Sequence, residues 1–75
     1  MTKRGRSTAV PVYRCYVLNS QKRVMFAADV VAEDLGDAVR HALEMLNREQ
    51  VTNPKSDAAN IEIWEGSVRV FPPER

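Results

Sequence analysis

The chain has 75 residues, a net charge of +1 at pH 7 and a single cysteine, Cys15, so an internal disulfide is excluded. This length suits one domain, and so small a domain usually needs a disulfide, a metal or a partner subunit for stability. No group of residues has the spacing of a structural zinc site, and no apolar run is long enough for a signal peptide or a membrane span. We therefore expect a soluble, cytoplasmic protein that gains stability by association.

Charge is unevenly distributed along the chain. All ten acidic residues lie at or after Asp29, whereas six of the eleven basic residues precede it. Residues 1–9 are predicted to be a flexible basic tail, and residues 10–73 a single α+β domain. A solvated surface with a loose tail explains the asymmetry, and a site for an anion or an acidic partner is the alternative.

The first predicted element is a β-hairpin. Val10 to Leu18 is rich in aromatic and β-branched residues, which predicts a strand, and a second strand runs from Arg23 to about Val31. The segment from Asn19 to Lys22 predicts a turn, because short polar side chains can bond their own backbone. Strands joined by so short a turn are antiparallel neighbours. Alternation places five apolar side chains on the inward face: Tyr13, Cys15, Val17, Val24 and Phe26.

The next element is an amphipathic helix. Apolar residues recur at helical spacing, which predicts a continuous stripe facing a core: Leu35, Ala38, Val39, Ala42, Leu43 and Leu46. Asp34 is a suitable N-cap. The helix is expected to end near Gln50 and to be followed by a polar connector from Val51 to Ala59.

A second hairpin closes the chain. Asn60 to Trp64 and Ser67 to Phe71 both alternate at period two, and Glu65 and Gly66 are predicted to form the turn between them. This turn predicts three cross-strand pairs: Ile63 with Val68, Ile61 with Val70, and Glu62 with Arg69. The inward face then also contains Ile61, Ile63, Val68 and Val70.

The element order is therefore β-β-α-β-β. The simplest architecture is a four-stranded antiparallel sheet with the single helix packed on one face. A strand order of 2-1-3-4 keeps every neighbouring pair antiparallel.

This arrangement leaves the outward face of the sheet without cover, although it is rich in apolar residues and arginine. Such a composition is typical of an interface core. The predicted interface comprises Val12, Arg14, Tyr16, Leu18, Met25, Trp64, Arg69 and Phe71. We expect a homodimer through this face, which would also relieve the small core.

Two alternatives remain open. Arg14, Tyr16 and Trp64, together with the basic tail, could bind single-stranded nucleic acid by stacking and phosphate contacts, although Glu62 and Glu65 would lie nearby. Alternatively, the assigned strand phases are wrong and some of these side chains belong to the core.

No catalytic signature is present. His41, the only histidine, lies on the polar side of the helix without an identifiable nucleophile, and the neighbours of Cys15 predict that its thiol is buried. The three glycines form no phosphate-binding loop. We therefore expect no enzyme activity, no metal or cofactor, no membrane contact and no small-molecule ligand.

Three short motifs carry a family resemblance: the aromatic strand Tyr13–Leu18, the acidic helix start Glu33–Ala38, and the Glu-hydrophobic-Trp-x-Gly segment Glu62–Gly66. Together they resemble a class of short, uncharacterised bacterial proteins typical of alphaproteobacterial genomes. The resemblance implies the β-β-α-β-β order and a bacterial cytoplasmic setting, and it implies no activity and no functional residues. The connector from Val51 to Ala59 is longer than that pattern expects.

Overall fold

The fold consists of one antiparallel sheet with one helix, as seen in a computed structural model that describes residues 11–73. Its elements are β1 (Val12–Asn19), β2 (Val24–Val31), α1 (Leu35–Thr52), β3 (Ala58–Glu65) and β4 (Val68–Phe71). The strands lie in the order β2-β1-β3-β4, and every neighbouring pair is antiparallel. The predicted fold class and strand order are confirmed. The predicted basic tail, residues 1–9, lies outside the described residues.

The turn between β1 and β2 is organised by the side chain of Asn19. Its Oδ1 accepts hydrogen bonds from the backbone N–H groups of Gln21 and Arg23, each at 2.9 Å. Lys22, at φ 66°, occupies the left-handed region and donates its backbone N–H to the Asn19 carbonyl oxygen. The expected turn chemistry, a short polar side chain bonding the local backbone, is confirmed.

The helix begins as predicted and extends further than predicted. Asp34 is the N-cap, and its Oδ1 accepts a hydrogen bond from the Asp37 backbone N–H at 2.8 Å. The helix continues to Thr52, so the connector is shorter than the predicted one and β3 starts at Ala58. Asn53 closes the last turn by donating its N–H to the Glu49 carbonyl oxygen, and Pro54 prevents the helix from continuing.

Asp34→Ala tests the cap. Without the carboxylate, the N–H of Asp37 loses its partner, and we expect the free energy of unfolding to fall by about 1 kcal/mol. Urea unfolding followed by circular dichroism measures this loss. Asp34→Asn is the control, because an amide oxygen also caps a helix and should retain most of the stability.

Asp37, in the first turn of α1, links stability to pH. Burial opposes ionisation of its carboxyl, but the Glu33 backbone N–H and the paired guanidinium of Arg40 outweigh it, so its pKa is lowered. A carboxyl with a lowered folded pKa stabilises the fold above its unfolded value of about 3.9, and this contribution is lost as pH falls through the folded value. Asp37→Asn should therefore flatten the acid limb of a stability–pH curve. An unchanged acid limb would contradict this linkage.

The core lies between α1 and the central strands. Ala38 and Ala42 of the helix are fully buried, as are Cys15, Val17 and Ile63 of β1 and β3. These residues belong to one cluster, against which larger side chains of the helix stripe pack at the margin. The predicted burial of Cys15 is confirmed.

The predicted helix stripe is wrong at one position. Leu43 is 50% exposed, whereas Met45, which the stripe did not include, packs against the core cluster. At about 100° per residue, Met45 and Leu43 lie on opposite flanks of the stripe centred on Ala42. The flank with Met45 faces Phe26 and Ala28 of β2, and the flank with Leu43 is left in solvent.

Three irregularities in the strand registers change which side chains share a face. One residue is skipped in each case: Met25 between β1 and β2, Ala59 between β1 and β3, and Val70 between β3 and β4. A bulge of this kind reverses the alternation beyond it. Strand phases extrapolated from regular alternation are therefore wrong beyond each bulge.

The register of the second hairpin differs from the prediction for this reason. Glu65 pairs with Val68, so the turn comprises Gly66 and Ser67 instead of Glu65 and Gly66. Gly66 has φ 63°, a conformation that glycine adopts without strain. The other pairs are Trp64 with Arg69 and Ile63 with Phe71, and the three predicted pairs do not form.

Candidate functional site

The face of the sheet opposite α1 is the candidate site, and we call it the outer face. Cross-strand partners lie on the same side of a sheet, so the registers define its members. They are Val12, Arg14, Tyr16 and Leu18 of β1; Val24, Ala27, Asp29 and Val31 of β2; Asn60, Glu62 and Trp64 of β3; and Arg69 of β4. No described helix covers this face.

The structure brings six of the eight predicted interface residues together on the outer face: Val12, Arg14, Tyr16, Leu18, Trp64 and Arg69. Met25 is the bulged residue of β2 beside them and is exposed. The outward placement of Phe71 is wrong, because the bulge at Val70 turns Phe71 to the helix side, where it packs against the core cluster.

Leu18 also differs from its predicted role. It lies on the outer face but is only 3% exposed, and it does not belong to the cluster beneath the helix. It lines a small pocket of about 140 Å³ together with Glu62, Arg69 and Pro72. Polar side chains and a proline thus shield Leu18, which leaves little of its surface for a partner.

Arg14 is held by its neighbours on the outer face. Its Nη1 donates to Asp29 Oδ1 at 2.9 Å, and its guanidinium carbon lies 5.9 Å from the centre of the Tyr16 ring. The hydrogen bond to Asp29, with a smaller contribution from Tyr16, raises the pKa of the guanidinium. This cation is therefore already matched by a carboxylate within the same chain.

A second charge group surrounds Glu62. Its Oε1 accepts a hydrogen bond from Trp64 Nε1 at 3.1 Å, and its Oε2 lies 3.6 Å from Arg69 Nη1. Each arginine of the outer face thus has a carboxylate beside it. These contacts hold the half-buried indole of Trp64 in place and leave the face electrically balanced.

The exposed apolar groups concentrate on the β2 side of the outer face. Val12 and Val31 pair across the sheet and are 51% and 61% exposed, and Val24 and Met25 are exposed at the other end of β2. The prediction placed Val24 on the helix side. The bulge at Met25 pairs Val24 with Leu18 and moves it to the outer face.

A groove between β2 and α1 was missed by the sequence reasoning. It has a volume of about 390 Å³ and is lined by Phe26, Ala28, Met45, Arg48, Glu49 and Thr52. Phe26 was expected in the core but is 37% exposed, since the helix does not extend over β2. One feature of the sequence could have indicated this groove: Met45 is an apolar residue that lies outside the predicted stripe.

The residues weighed for chemistry are not brought together. His41 Nε2 lies 3.7 Å from Asp37 Oδ1 on the helix surface, whereas the thiol of Cys15 lies in the core, where burial, with a smaller contribution from Asp29, raises its pKa. Within residues 11–73 there is no group of three side chains that could hold a metal ion. The helix of this part of the chain, α1, is not long and apolar enough to cross a bilayer.

Comparison with known proteins gives no relative. No family model, curated protein or solved structure matches the chain. The resemblance to short bacterial proteins stays a prediction.

Proposed function

We propose that this chain is a small protein-interaction module that forms a homodimer through its outer face, in the cytoplasm and without a catalytic role. One observation carries the proposal. Among the described residues the sheet has a helix on one side only, and the opposite side combines the aromatic rings of Tyr16 and Trp64 with the exposed pair of Val12 and Val31. A face of this composition resembles the centre of an interface more than a solvated sheet face.

Electrical balance favours a second copy as the partner. In a two-fold dimer the same surface meets itself, so an excess of one charge would repel its own image. Arg14 is matched by Asp29 and Arg69 by Glu62, which supports contact between two identical faces. Two sheets packed in this way bury their facing side chains in a layer about 10 Å thick.

The same contacts weigh against the nucleic-acid alternative. Phosphate groups need free cations, and single-stranded bases need accessible aromatic rings. Arg14 is already paired with Asp29, and the carboxylate of Glu62 lies next to Trp64. The basic tail that this alternative also needs lies outside the described residues. We therefore place self-association first.

Sedimentation velocity tests the proposal. Trp64→Glu places a charge in the centre of the outer face, and Val12→Glu places one at an exposed position where folding is not at risk. We expect each change to weaken self-association by about tenfold or more, equivalent to about 1.4 kcal/mol. Leu43→Glu is the matched control, since Leu43 is as exposed as Val12 but lies on the helix.

Two results would overturn the homodimer proposal, and a third would favour nucleic-acid binding. A wild-type protein that stays monomeric at several hundred micromolar overturns the proposal. So does association that Val12→Glu and Leu43→Glu weaken equally, because the contact would then not involve the outer face. Binding to a single-stranded oligonucleotide that falls steeply with salt, and falls again in Arg14→Gln, would favour the alternative.

A further inference from the structure

A second surface, separate from the outer face, lies along the open edge of the sheet. Within residues 11–73, β2 is an edge strand, because β1 is its only neighbour in the order β2-β1-β3-β4. It has eight residues (VMFAADVV), of which Asp29 alone is charged. Edge strands of monomeric proteins commonly contain lysine, proline or a bulge, or are short, because these features block pairing with another strand. β2 has neither lysine nor proline, and its bulge at Met25 leaves the six residues from Phe26 to Val31 in regular alternation.

The backbone of β2 offers hydrogen-bonding groups to a further strand. The Ala32 N–H donates to the Pro11 carbonyl oxygen at 3.2 Å, so Pro11 and Ala32, which lie opposite each other, form a hydrogen-bonded pair of the β1–β2 ladder. Such pairs alternate along an antiparallel ladder, so the pairs that contain Val31, Asp29 and Ala27 are not hydrogen-bonded. These three residues therefore direct their N–H and C=O groups away from β1, toward the open edge.

The helix side of β2 is also uncovered. α1 lies over β1 and β3, so Phe26 and Ala28 form one wall of the open groove and Met45 contributes to the other. An apolar side chain arriving beside Phe26 would enter this groove. The edge thus combines unpaired backbone groups with adjacent uncovered apolar surface.

We propose that β2 pairs antiparallel with β2 of a second copy, centred on Ala28, to form a continuous eight-stranded sheet. Charge and the bulge at Met25 together select this register. Centring the pair on Asp29 would oppose two carboxylates, and centring on Ala27 would oppose Asp29 with the bulged Met25. Centring on Ala28 opposes Asp29 with Ala27 of the second copy. The same register opposes Phe26 with Val30 of the second copy, both on the helix side, and pairs the free backbone groups of Ala27 and Asp29.

This inference concerns a different surface from the proposed homodimer face, so the two can occur together. Copies stacked through their outer faces and joined along β2 would form a tetramer with two kinds of contact, each repeated by symmetry.

Amide hydrogen exchange measured residue by residue by NMR tests the edge. In the associated wild-type protein, the amides of Ala27 and Asp29 should be protected together with their neighbours Phe26, Ala28 and Val30. On dilution to the monomer, protection at Ala27 and Asp29 should be lost, whereas it should remain at the three residues bonded to β1. Fast exchange at Ala27 and Asp29 in the associated protein overturns the inference, whatever the outer face does.

A pair of variants separates the two surfaces. Ala27→Pro removes an N–H that β1 does not use, so the strand can still form while the edge can no longer pair. We expect Ala27→Pro and Trp64→Glu each to reduce the tetramer to a dimer. The Ala27 and Asp29 amides should be protected from exchange in the Trp64→Glu dimer, whereas the Asp29 amide should exchange fast in the Ala27→Pro dimer. The double variant should be monomeric. A wild-type dimer without edge protection overturns the edge inference alone. A dimer that keeps edge protection and is unaffected by Trp64→Glu overturns the outer-face proposal alone.

Discussion

Replacing Ile63 by Ala is expected to lower the free energy of unfolding by about 2–5 kcal/mol. Ile63 is fully buried between Cys15 and Phe71, its partners in the two neighbouring strands, beneath α1. Truncation removes apolar burial and leaves a cavity that the surrounding strands cannot close. A domain of about 60 residues has a total stability of only a few kcal/mol, so a large part of this variant should be unfolded at 25 °C.

Urea unfolding of the two variants Ile63→Ala and Leu43→Ala provides the measurement and its control. Sequence periodicity puts Leu43 in the core stripe, whereas the structure leaves half of its surface in solvent. Leu43→Ala should therefore cost less than about 1 kcal/mol. Equal losses in the two variants would show that α1 is rotated from the position described.

Ala42→Leu should destabilise the protein by about 1–3 kcal/mol through overpacking. Ala38 and Ala42 are fully buried, and such small side chains allow α1 to approach the sheet closely. A leucine at this contact must displace the helix or adopt an unfavourable rotamer. The midpoint of thermal unfolding should fall, by roughly 4–8 °C for each kcal/mol lost in a domain of this size.

Ala59→Leu is the control for this change. Ala59 is the exposed, bulged residue of β3, so the added side chain meets no packed neighbour. Its midpoint should stay close to that of the wild-type protein. Stabilisation by Ala42→Leu would mean that the helix–sheet contact contains unfilled space and would contradict the tight packing inferred from the two alanines.

Local signals in the sequence were sufficient for the elements and their order. The N-cap at Asp34 and the turn at Asn19 depend on hydrogen bonds within a few residues, which the sequence specifies directly. Strand order followed from two short hairpins and the preference for antiparallel neighbours. The helix stripe was right in period and wrong at Leu43, because which part of a stripe is buried depends on where the helix lies on the sheet.

The site was less accessible to sequence reasoning, because three bulges break the alternation on which it relied. Nothing in the local composition around Met25 or Val70 marks these residues as bulges, yet they exchange the faces of Val24 and Phe71. Tyr16 and Trp64 lie in strand segments without such a break, and their outward placement agrees with the prediction. The groove beside β2 depends on the lateral position of α1, and its one signal in the sequence was Met45, an apolar residue outside the predicted stripe.

The complete burial of Cys15 makes the labelling rate of its thiol a measure of how often the domain opens. It is the chain's only thiol, it is fully buried, and its raised pKa disfavours the reactive thiolate. A thiol reagent can therefore modify it only in molecules whose sheet and helix have momentarily separated. The rate of labelling reports how often the domain opens, and every variant described above can be ranked on this one scale without adding a probe.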